Sequence, residues 1–306
     1  MQSGARPEER GIIWLASYPR SGNTWLRNFV NNLLGILHGQ PQGSINALKH
    51  STVWDVDPRY YRRILGRPPS EKYRREVAAA RARVQELIAS QANGRIFVKT
   101  HTAALKVDGA LAINWKVAAG AVYIVRNPLD VVCSMAPHFG IPVEKAVDRL
   151  CQRDFRTGNS PKHASETYGS WSQHVASWTA NTLPVEPHVM RYEDMVERPA
   201  ETFGAFARFA GRGVDDAQIA DAIELSTFER LREQEREQGY RERPKISSDG
   251  FFRKGRVGQW RETLPTTLVQ RIVAEHGAQM GRFGYLPDTA LEALAEGRAA
   301  DELRRL

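Results

Sequence analysis

The stretch that decides the fold is residues 12–37, IIWLASYPRSGNTWLRNFVNNLLGIL. Residues 12–17 form a short apolar run with β-branched side chains, which predicts a strand. Residues 18–23 contain Pro19 and Gly22 and predict a turn. From Thr24 to Leu37 the apolar residues recur at the three- and four-residue spacing of a helix. Strand, glycine-containing loop and helix, in that order, are the context in which a loop can cradle a phosphate.

Compared with the ATP-binding pattern G-x-x-x-x-G-K-[ST], this loop keeps the shape but not the charge. With Gly22 at the second glycine, Thr24 takes the hydroxyl position. Asn23 then replaces the lysine that would bind ATP phosphates, and a cation, Arg20, lies inside the loop instead. The backbone N–H groups and the helix N-terminus could still hold a 5′-phosphate. A plain strand-to-helix turn, bent at Gly22, is the alternative interpretation.

Along the rest of the chain, strands alternate with helices. Strands are predicted at 95–99, 121–125 and 189–191, and helices at 71–92, 128–135, 143–155, 171–182, 200–210, 216–225 and 264–281. This alternation predicts an α/β, P-loop-like three-layer fold in which a central parallel sheet is flanked by helices. We expect one domain over residues 1–306, with a core at about 12–285 and a peripheral helical tail at 286–306. Residues 239–250 are predicted to be a loop.

The composition restricts the classes of protein to which the chain can belong. The net charge of +8 favours an anionic partner, but the basic residues are scattered, so nucleic acid is not an expected partner. No apolar run approaches the ~18 residues of a membrane span, and the N-terminus lacks the apolar core of a secretory signal. Two cysteines, Cys133 and Cys151, cannot form a disulfide framework. We therefore expect a cytoplasmic protein with no membrane span and, since no cluster has metal-ligand spacing, no catalytic metal.

Four segments, in order along the chain, resemble the motifs of the sulfotransferases that use 3′-phosphoadenosine 5′-phosphosulfate (PAPS), in particular the cytosolic type. Residues 18–25 (YPRSGNTW) resemble the 5′-phosphosulfate loop, 98–101 (VKTH) the strand with the catalytic histidine, 123–134 (YIVRNPLDVVCS) the 3′-phosphate segment, and 252–260 (FRKGRVGQW) the Arg-Lys-Gly motif. Weaker matches lie at 191–195 and 225–230. Two departures are Arg20, where the family usually has lysine, and Gln259, which replaces a common aspartate.

The resemblance implies which residues form the site. His101 is expected to be the general base, Lys99 to bind the transferring sulfuryl oxygens, and Arg20 to stabilise the leaving phosphate by charge alone. The donor-binding residues implied are Arg20, Ser21, Gly22, Asn23, Thr24, Trp25, Arg126, Ser134, Tyr192, Ser226, Phe228, Arg253, Lys254 and Gly255. Of these, Arg126, Ser134 and the residues at 253–255 are expected on the 3′-phosphate, and the aromatic residues and Ser226 near the adenine.

The implied reaction is the in-line transfer of a sulfuryl group from PAPS to a hydroxyl, which leaves adenosine 3′,5′-bisphosphate (PAP). A small-molecule phenol or alcohol is the first expected acceptor, and a glycan or a lipid the next. Candidates to line the acceptor pocket are Trp54, Phe139, Tyr168, Trp171, Tyr240 and Phe251. An ATP-dependent kinase and a noncatalytic nucleotide- or polyanion-binding protein are the rival functions. Residues 239–250 are expected to be a lid, and the sequence does not indicate an oligomeric state.

Overall fold

The structure is a computed structural model that describes residues 10–40, 44–211, 213–243, 250–252 and 255–288. Within these ranges the strands are β1 (Gly11–Ser17), β2 (Thr52–Trp54), β3 (Arg95–Thr100), β4 (Lys106–Val107), β5 (Ala110–Leu111), β6 (Ala118–Val125) and β7 (His188–Arg191). The helices are α1 (Asn23–Leu37), α2 (Pro58–Leu65), α3 (Arg74–Ser90), α4 (Pro128–Phe139), α5 (Val143–Cys151), α6 (Trp171–Trp178), α7 (Tyr192–Glu197), α8 (Pro199–Phe209), α9 (Asp216–Glu224), α10 (Phe228–Gln238), α11 (Trp260–Thr263) and α12 (Thr266–Arg282).

A five-stranded parallel sheet, in the order β2-β3-β1-β6-β7, forms the middle layer. Alternate side chains of β1 point to opposite faces: Trp14 packs into one hydrophobic core and Leu15 into the other. Helices α2 to α6 and α12 cover the first core, and α1 and α7 to α9 cover the second. The predicted three-layer α/β fold with a central parallel sheet is therefore confirmed.

Several elements were not predicted from the sequence. The edge strand β2 has only three residues, and the β4–β5 hairpin only two in each strand, so neither shows a period. The densely charged segment that forms α10 buries Leu231 and Glu235 on one face. Of the loop predicted at 239–250, residues 244–249 lie outside the described part, as do residues 289–306 of the predicted tail. None of the described helices combines the length and the apolar character needed to cross a membrane.

The sheet determines where a site can form, because all five strands run in the same direction and end at one edge. The residues that directly follow the strands are Asp55, His101, Tyr18, Arg126 and Tyr192, in the order of the strands across the sheet. The carboxyl edge of an open parallel sheet is where ligands bind in such folds. Three of the motif segments noted in the sequence thus meet at one place.

Candidate functional site

A cavity of about 280 Å³ opens at this carboxyl edge. The residues expected to bind donor or to catalyse transfer that line it are Arg20, Gly22, Asn23, Thr24, Trp25, Lys99, His101, Arg126, Ser134, Tyr192, Phe228 and Gly255. Ser21 and Ser226 are buried but are not part of this lining. Arg253 and Lys254 lie outside the described residues.

The loop between β1 and α1 is built around Gly22. Its φ of +101° suits glycine, and a Cβ there would lie 2.7 Å from Cδ2 of Tyr192. The next helix begins at once, with the backbone N–H of Trp25 and of Leu26 donating to the Gly22 carbonyl. The hydroxyl of Ser21 is buried and has no hydrogen-bond partner among the described residues. A helix N-terminus beside an unpartnered hydroxyl is a suitable environment for an anion.

Asn23 occupies the position of the kinase lysine, and its side chain is structural. Its Nδ2 donates to the carbonyl of Leu15 at 2.9 Å, and the residue is buried. The amide therefore fastens the loop to β1. A side chain held in this way cannot supply the charge that a P-loop lysine gives to ATP phosphates.

Arg20 connects the loop to α4. Its Nε donates to Ser134 Oγ at 2.9 Å, and its Nη1 lies 3.1 Å from Nδ1 of His138. The guanidinium also lies over the Phe251 ring, 4.4 Å from the centroid. Burial, and then the charge of Arg20, lower the pKa of His138 to about 3. The neutral imidazole can thus accept a hydrogen bond from the cation, which fixes the direction of the arginine.

Arg126 is the second cation of the cavity. Its Nη1 donates to the carbonyl of Arg20 at 3.0 Å, and its guanidinium lies 4.0 Å from the centroid of the Tyr192 ring. Its Nε is buried and has no hydrogen-bond partner in the part of the chain that the structure describes. Among the described residues, four cations line the cavity, Arg20, Arg27, Lys99 and Arg126, and the unpartnered N–H is that of Arg126 Nε. This donor set fits a ligand with several phosphate or sulfate groups.

An aromatic wall closes one side of the cavity. Trp25 donates its Nε1–H to the carbonyl of Ser226 at 2.7 Å and packs edge-on against Tyr192. The Ser226 hydroxyl is turned inward, donating to the carbonyl of Ala222 at 2.7 Å. On the same wall, a Cβ at Gly255 would lie 2.8 Å from the Phe228 ring. Ser226 therefore contributes to the cavity indirectly, because its carbonyl fixes the position of the Trp25 indole.

His101 has a defined tautomer. Its Nδ1 lies 2.8 Å from the carbonyl oxygen of Ser17 and 3.2 Å from the hydroxyl oxygen of the same residue, which can also accept. Because a carbonyl only accepts, Nδ1 carries the hydrogen, and Nε2 is the ring nitrogen with the lone pair. Burial, and then the charge of Lys99, lower the pKa of His101 to about 3, so the ring is neutral at neutral pH. A neutral imidazole with a defined lone pair can accept a proton from a hydroxyl.

The turn that carries His101 is held by α6. His174 donates from Nε2 to the His101 carbonyl at 3.0 Å, while its Nδ1 accepts the hydroxyl of Tyr123 at 2.9 Å. Trp178 donates its Nε1–H to the carbonyl of Thr102 at 3.0 Å. The sequence motifs did not connect this helix with His101, and α6 fixes the backbone on which the histidine lies.

Lys99 points into the same space and has a carboxylate partner. Its Nζ lies 3.3 Å from Oε1 of Glu166 and 4.6 Å from the centroid of the Trp54 ring. Trp54 pairs with Lys99 in the sheet register, so the unpredicted strand β2 supplies one wall of the cavity. Sequence reasoning gave no role to Arg27, His138, Glu166 or Glu242, which also line the cavity.

Arg27 and Glu242 tie the described start of the 239–250 segment to α1. The guanidinium donates from Nη1 and Nη2 to the two carboxylate oxygens at 2.8 and 2.9 Å. Tyr240 also donates its hydroxyl to Glu242, at 2.9 Å. Burial opposes ionisation of Glu242, but Arg27 lowers the pKa of the carboxyl below its usual value. Arg27 follows Thr24 by three residues and so lies about one turn further along α1.

The aromatic residues expected around an acceptor separate into two groups. Trp54, Phe139, Tyr168 and Phe251 line the cavity. Trp171 is fully buried in the core, and Tyr240 packs against Phe251 from behind. Over the described ranges, no group of three or more histidine, cysteine or acidic residues is arranged to hold a metal ion.

A protein-family model described as a sulfotransferase domain matches residues 11–284 of this chain. The chain belongs to the sulfotransferase family. The mouse sulfotransferase 1B1 is 24% identical to this sulfotransferase over 279 residues, which cover 88% of this chain and 83% of the relative. A flavonol 3-sulfotransferase of Flaveria bidentis is 25% identical over 295 residues, covering 90% and 83%. The family resemblance seen in the sequence motifs is confirmed.

Solved structures also share the fold of this chain. A retinol dehydratase in complex with androsterone and inactive cofactor PAP has a TM-score of 0.62 at 17% identity, covering 90% of this sulfotransferase and 81% of that chain. A mouse sulfotransferase complexed with PAP has a TM-score of 0.58 at 19% identity, covering 90% and 85%. At these identities the similarity establishes the fold, and the ligands belong to those proteins.

Proposed function

We propose that this enzyme transfers a sulfuryl group from PAPS to the hydroxyl of a small-molecule phenol or alcohol, by in-line displacement. The observation that carries the proposal is the defined tautomer of His101, whose Nδ1 is bound to Ser17 in a cavity that also contains Arg20, Lys99 and Arg126. A proton acceptor beside several cations is what transfer between an anionic donor and a hydroxyl requires. PAP bound in the structural neighbours supports PAPS as the donor.

The residues assigned to the donor and to catalysis then have separate parts in the reaction. PAPS supplies the activated sulfuryl group, and the loop at Gly22 with the N-terminus of α1 would bind its 5′-phosphate. Arg126 and Ser134 would bind the 3′-phosphate, as would Arg253 and Lys254. Lys99 would balance the charge on the transferring oxygens. His101 would take the hydroxyl proton at Nε2 as the acceptor oxygen bonds to sulfur.

The motifs do not identify the acceptor, but the residues that line the cavity restrict its chemistry. Aromatic rings of Trp54, Phe139, Tyr168 and Phe251 face the cavity. Such a lining favours a flat or alicyclic hydroxylated molecule over a glycan, whose hydroxyls need many polar partners. The names of the relatives, which include a flavonol 3-sulfotransferase, support a small hydroxylated acceptor.

The proposal is tested by incubating the protein with PAPS and a panel of 2-naphthol, androsterone, retinol and quercetin. We expect one or more products that gain the mass of an SO₃ unit, together with release of an equal amount of PAP. Calorimetry with PAP in place of PAPS checks donor binding separately. Binding of PAP without any sulfated product would favour the noncatalytic function, and phosphate transfer from ATP with Mg²⁺ would favour the kinase.

Two further expectations stay with this proposal. One domain over the chain is supported by a family match that runs through residues 11–284. A cytoplasmic location is supported by relatives such as cytosolic sulfotransferase 12 of Arabidopsis thaliana. Fractionation of the native host, with the protein followed by immunoblot, would contradict the second expectation if the protein were recovered outside the cytoplasm.

A further inference from the structure

Glu166 reaches the cavity from the irregular segment between α5 and α6. The segment is anchored on both sides of the residue: the Glu166 N–H donates to Thr157 Oγ1 at 2.8 Å, and the Thr157 N–H donates to the Glu166 carbonyl at 2.9 Å. Arg81, from α3, donates to the carbonyl of the preceding Ser165 at 2.6 Å. The backbone around the carboxylate is therefore fixed from several directions.

The carboxylate joins the residues assigned to catalysis. Its Oε1 accepts both from Nζ of Lys99 and from the backbone N–H of His101, each at 3.3 Å. Its Oε2 accepts the hydroxyl of Tyr168 at 3.1 Å. Oε1 of Glu166 is thus shared by the Lys99 ammonium group and by the backbone of His101, the residue assigned as the base. A change at this carboxylate would alter the position of both at once.

The group is ionised, although it is only 9% exposed. Burial raises the pKa of a carboxyl, but the charge of Lys99, the largest opposing cause, helps to lower the pKa of Glu166 to about 2. The neighbouring Asp55 and Arg81 pair with each other at 3.0 Å. The negative charge of Glu166 therefore faces chiefly Lys99 and the backbone N–H of His101.

We propose that Glu166 is a positioning residue for sulfuryl transfer, which fixes Lys99 relative to His101 and supplies the negative charge beside which the His101 imidazolium forms. This inference rests on the proposed function. In the transfer step, the bond from sulfur to the acceptor oxygen forms, and the bond from sulfur to the bridging phosphate oxygen breaks. The electron pair of the broken bond leaves with the 5′-phosphate, and the acceptor proton moves to Nε2 of His101.

The need for such a charge follows from the position of Lys99. Burial lowers the pKa of His101 most and the positive charge of Lys99 lowers it further, so both oppose formation of an imidazolium, whereas the charge of Glu166 acts in the opposite direction. A base flanked only by a cation would accept the hydroxyl proton less readily. The shared carboxylate allows the cation and the base to work in the same small cavity.

Two substitutions separate charge from shape. E166Q keeps the size and removes the charge, and E166D keeps the charge on a shorter side chain. We expect E166Q to lower kcat by roughly 10- to 100-fold, the effect of one charge-assisted hydrogen bond, with PAP affinity unchanged within about three-fold. E166D should retain more of the turnover than E166Q. If shape were the requirement, the isosteric E166Q would be the more active of the two variants.

Glu193 offers a matched control for the effect of losing a buried carboxylate. It is 5% exposed and also accepts one backbone N–H, from Asn127 at 3.0 Å, and one tyrosine hydroxyl, from Tyr285 at 2.7 Å. E193Q should lower the thermal midpoint by a similar amount but keep kcat at saturating PAPS within about three-fold. All variants are assayed with the panel compound that the wild type sulfates fastest.

The possible results distinguish a failure of the proposed function from a failure of the role of Glu166 alone. A wild-type enzyme that sulfates no compound of the panel overturns the proposed function itself. A wild type that turns over, beside an E166Q variant with kcat within three-fold of it, overturns the role of Glu166 alone. The role is also overturned if E166Q is at least as active as E166D, or if E193Q loses as much turnover as E166Q.

Discussion

His101→Asn is the substitution that isolates the general base. The Nδ1–H of His101 donates to the carbonyl of Ser17 at 2.8 Å, and an asparagine amide can place an N–H near the same position. The variant thus keeps the anchoring hydrogen bond and loses the Nε2 lone pair. His101→Ala loses both, and the missing hydrogen bond should lower the stability by about 1 kcal/mol.

The expected effect on turnover is a loss of about 10²- to 10⁴-fold in kcat for both variants, the usual contribution of a general base. PAP affinity should change little, because neither phosphate of PAP is assigned to His101. The assay is PAP release with PAPS at saturation, alongside PAP binding by calorimetry and thermal unfolding. Turnover of His101→Asn within ten-fold of the wild type would show that this histidine is not the base.

Three further predictions follow from named contacts. Arg126→Ala should weaken PAP binding roughly 10- to 100-fold and AMP binding far less, since AMP lacks the 3′-phosphate; equal losses in calorimetry would contradict the assignment. Burial lowers the pKa of His276 to about 4, below the ~6.5 of an unfolded chain, so its protonation favours unfolding and stability falls as pH drops from about 6.5 to 4. In urea unfolding, the free energy of unfolding of His276→Gln should depend on pH less steeply than that of the wild type in this window, by up to about 1.4 kcal/mol per pH unit, and an equal slope would show that His276 does not titrate there. Gly22→Ala should lower stability and PAP affinity more than Gly39→Ala, because both residues have positive φ but only the Cβ at Gly22 would meet the Tyr192 ring; equal effects would mean that the close approach is unimportant.

The first strand, the phosphate loop and the first helix could be predicted from the sequence because each depends on residues close together in the chain. The apolar run of β1 and the helical spacing of α1 reflect burial within a single element. Gly22 marked the turn because few other residues tolerate its backbone conformation. The parallel sheet followed from the alternation of such elements, and the order of the motifs led to the family.

The partners within the site were decided by the tertiary structure. Glu166 lies 65 residues from His101 along the chain and in an irregular segment, so no period or spacing connects the two. The edge strand β2, which brings Trp54 beside Lys99, is too short to show an alternation. The sequence motifs identified His101 as the expected general base but carried no information on its surroundings. Burial together with Lys99 lowers the pKa of His101 to about 3, because desolvation and charge depend on how distant segments pack together.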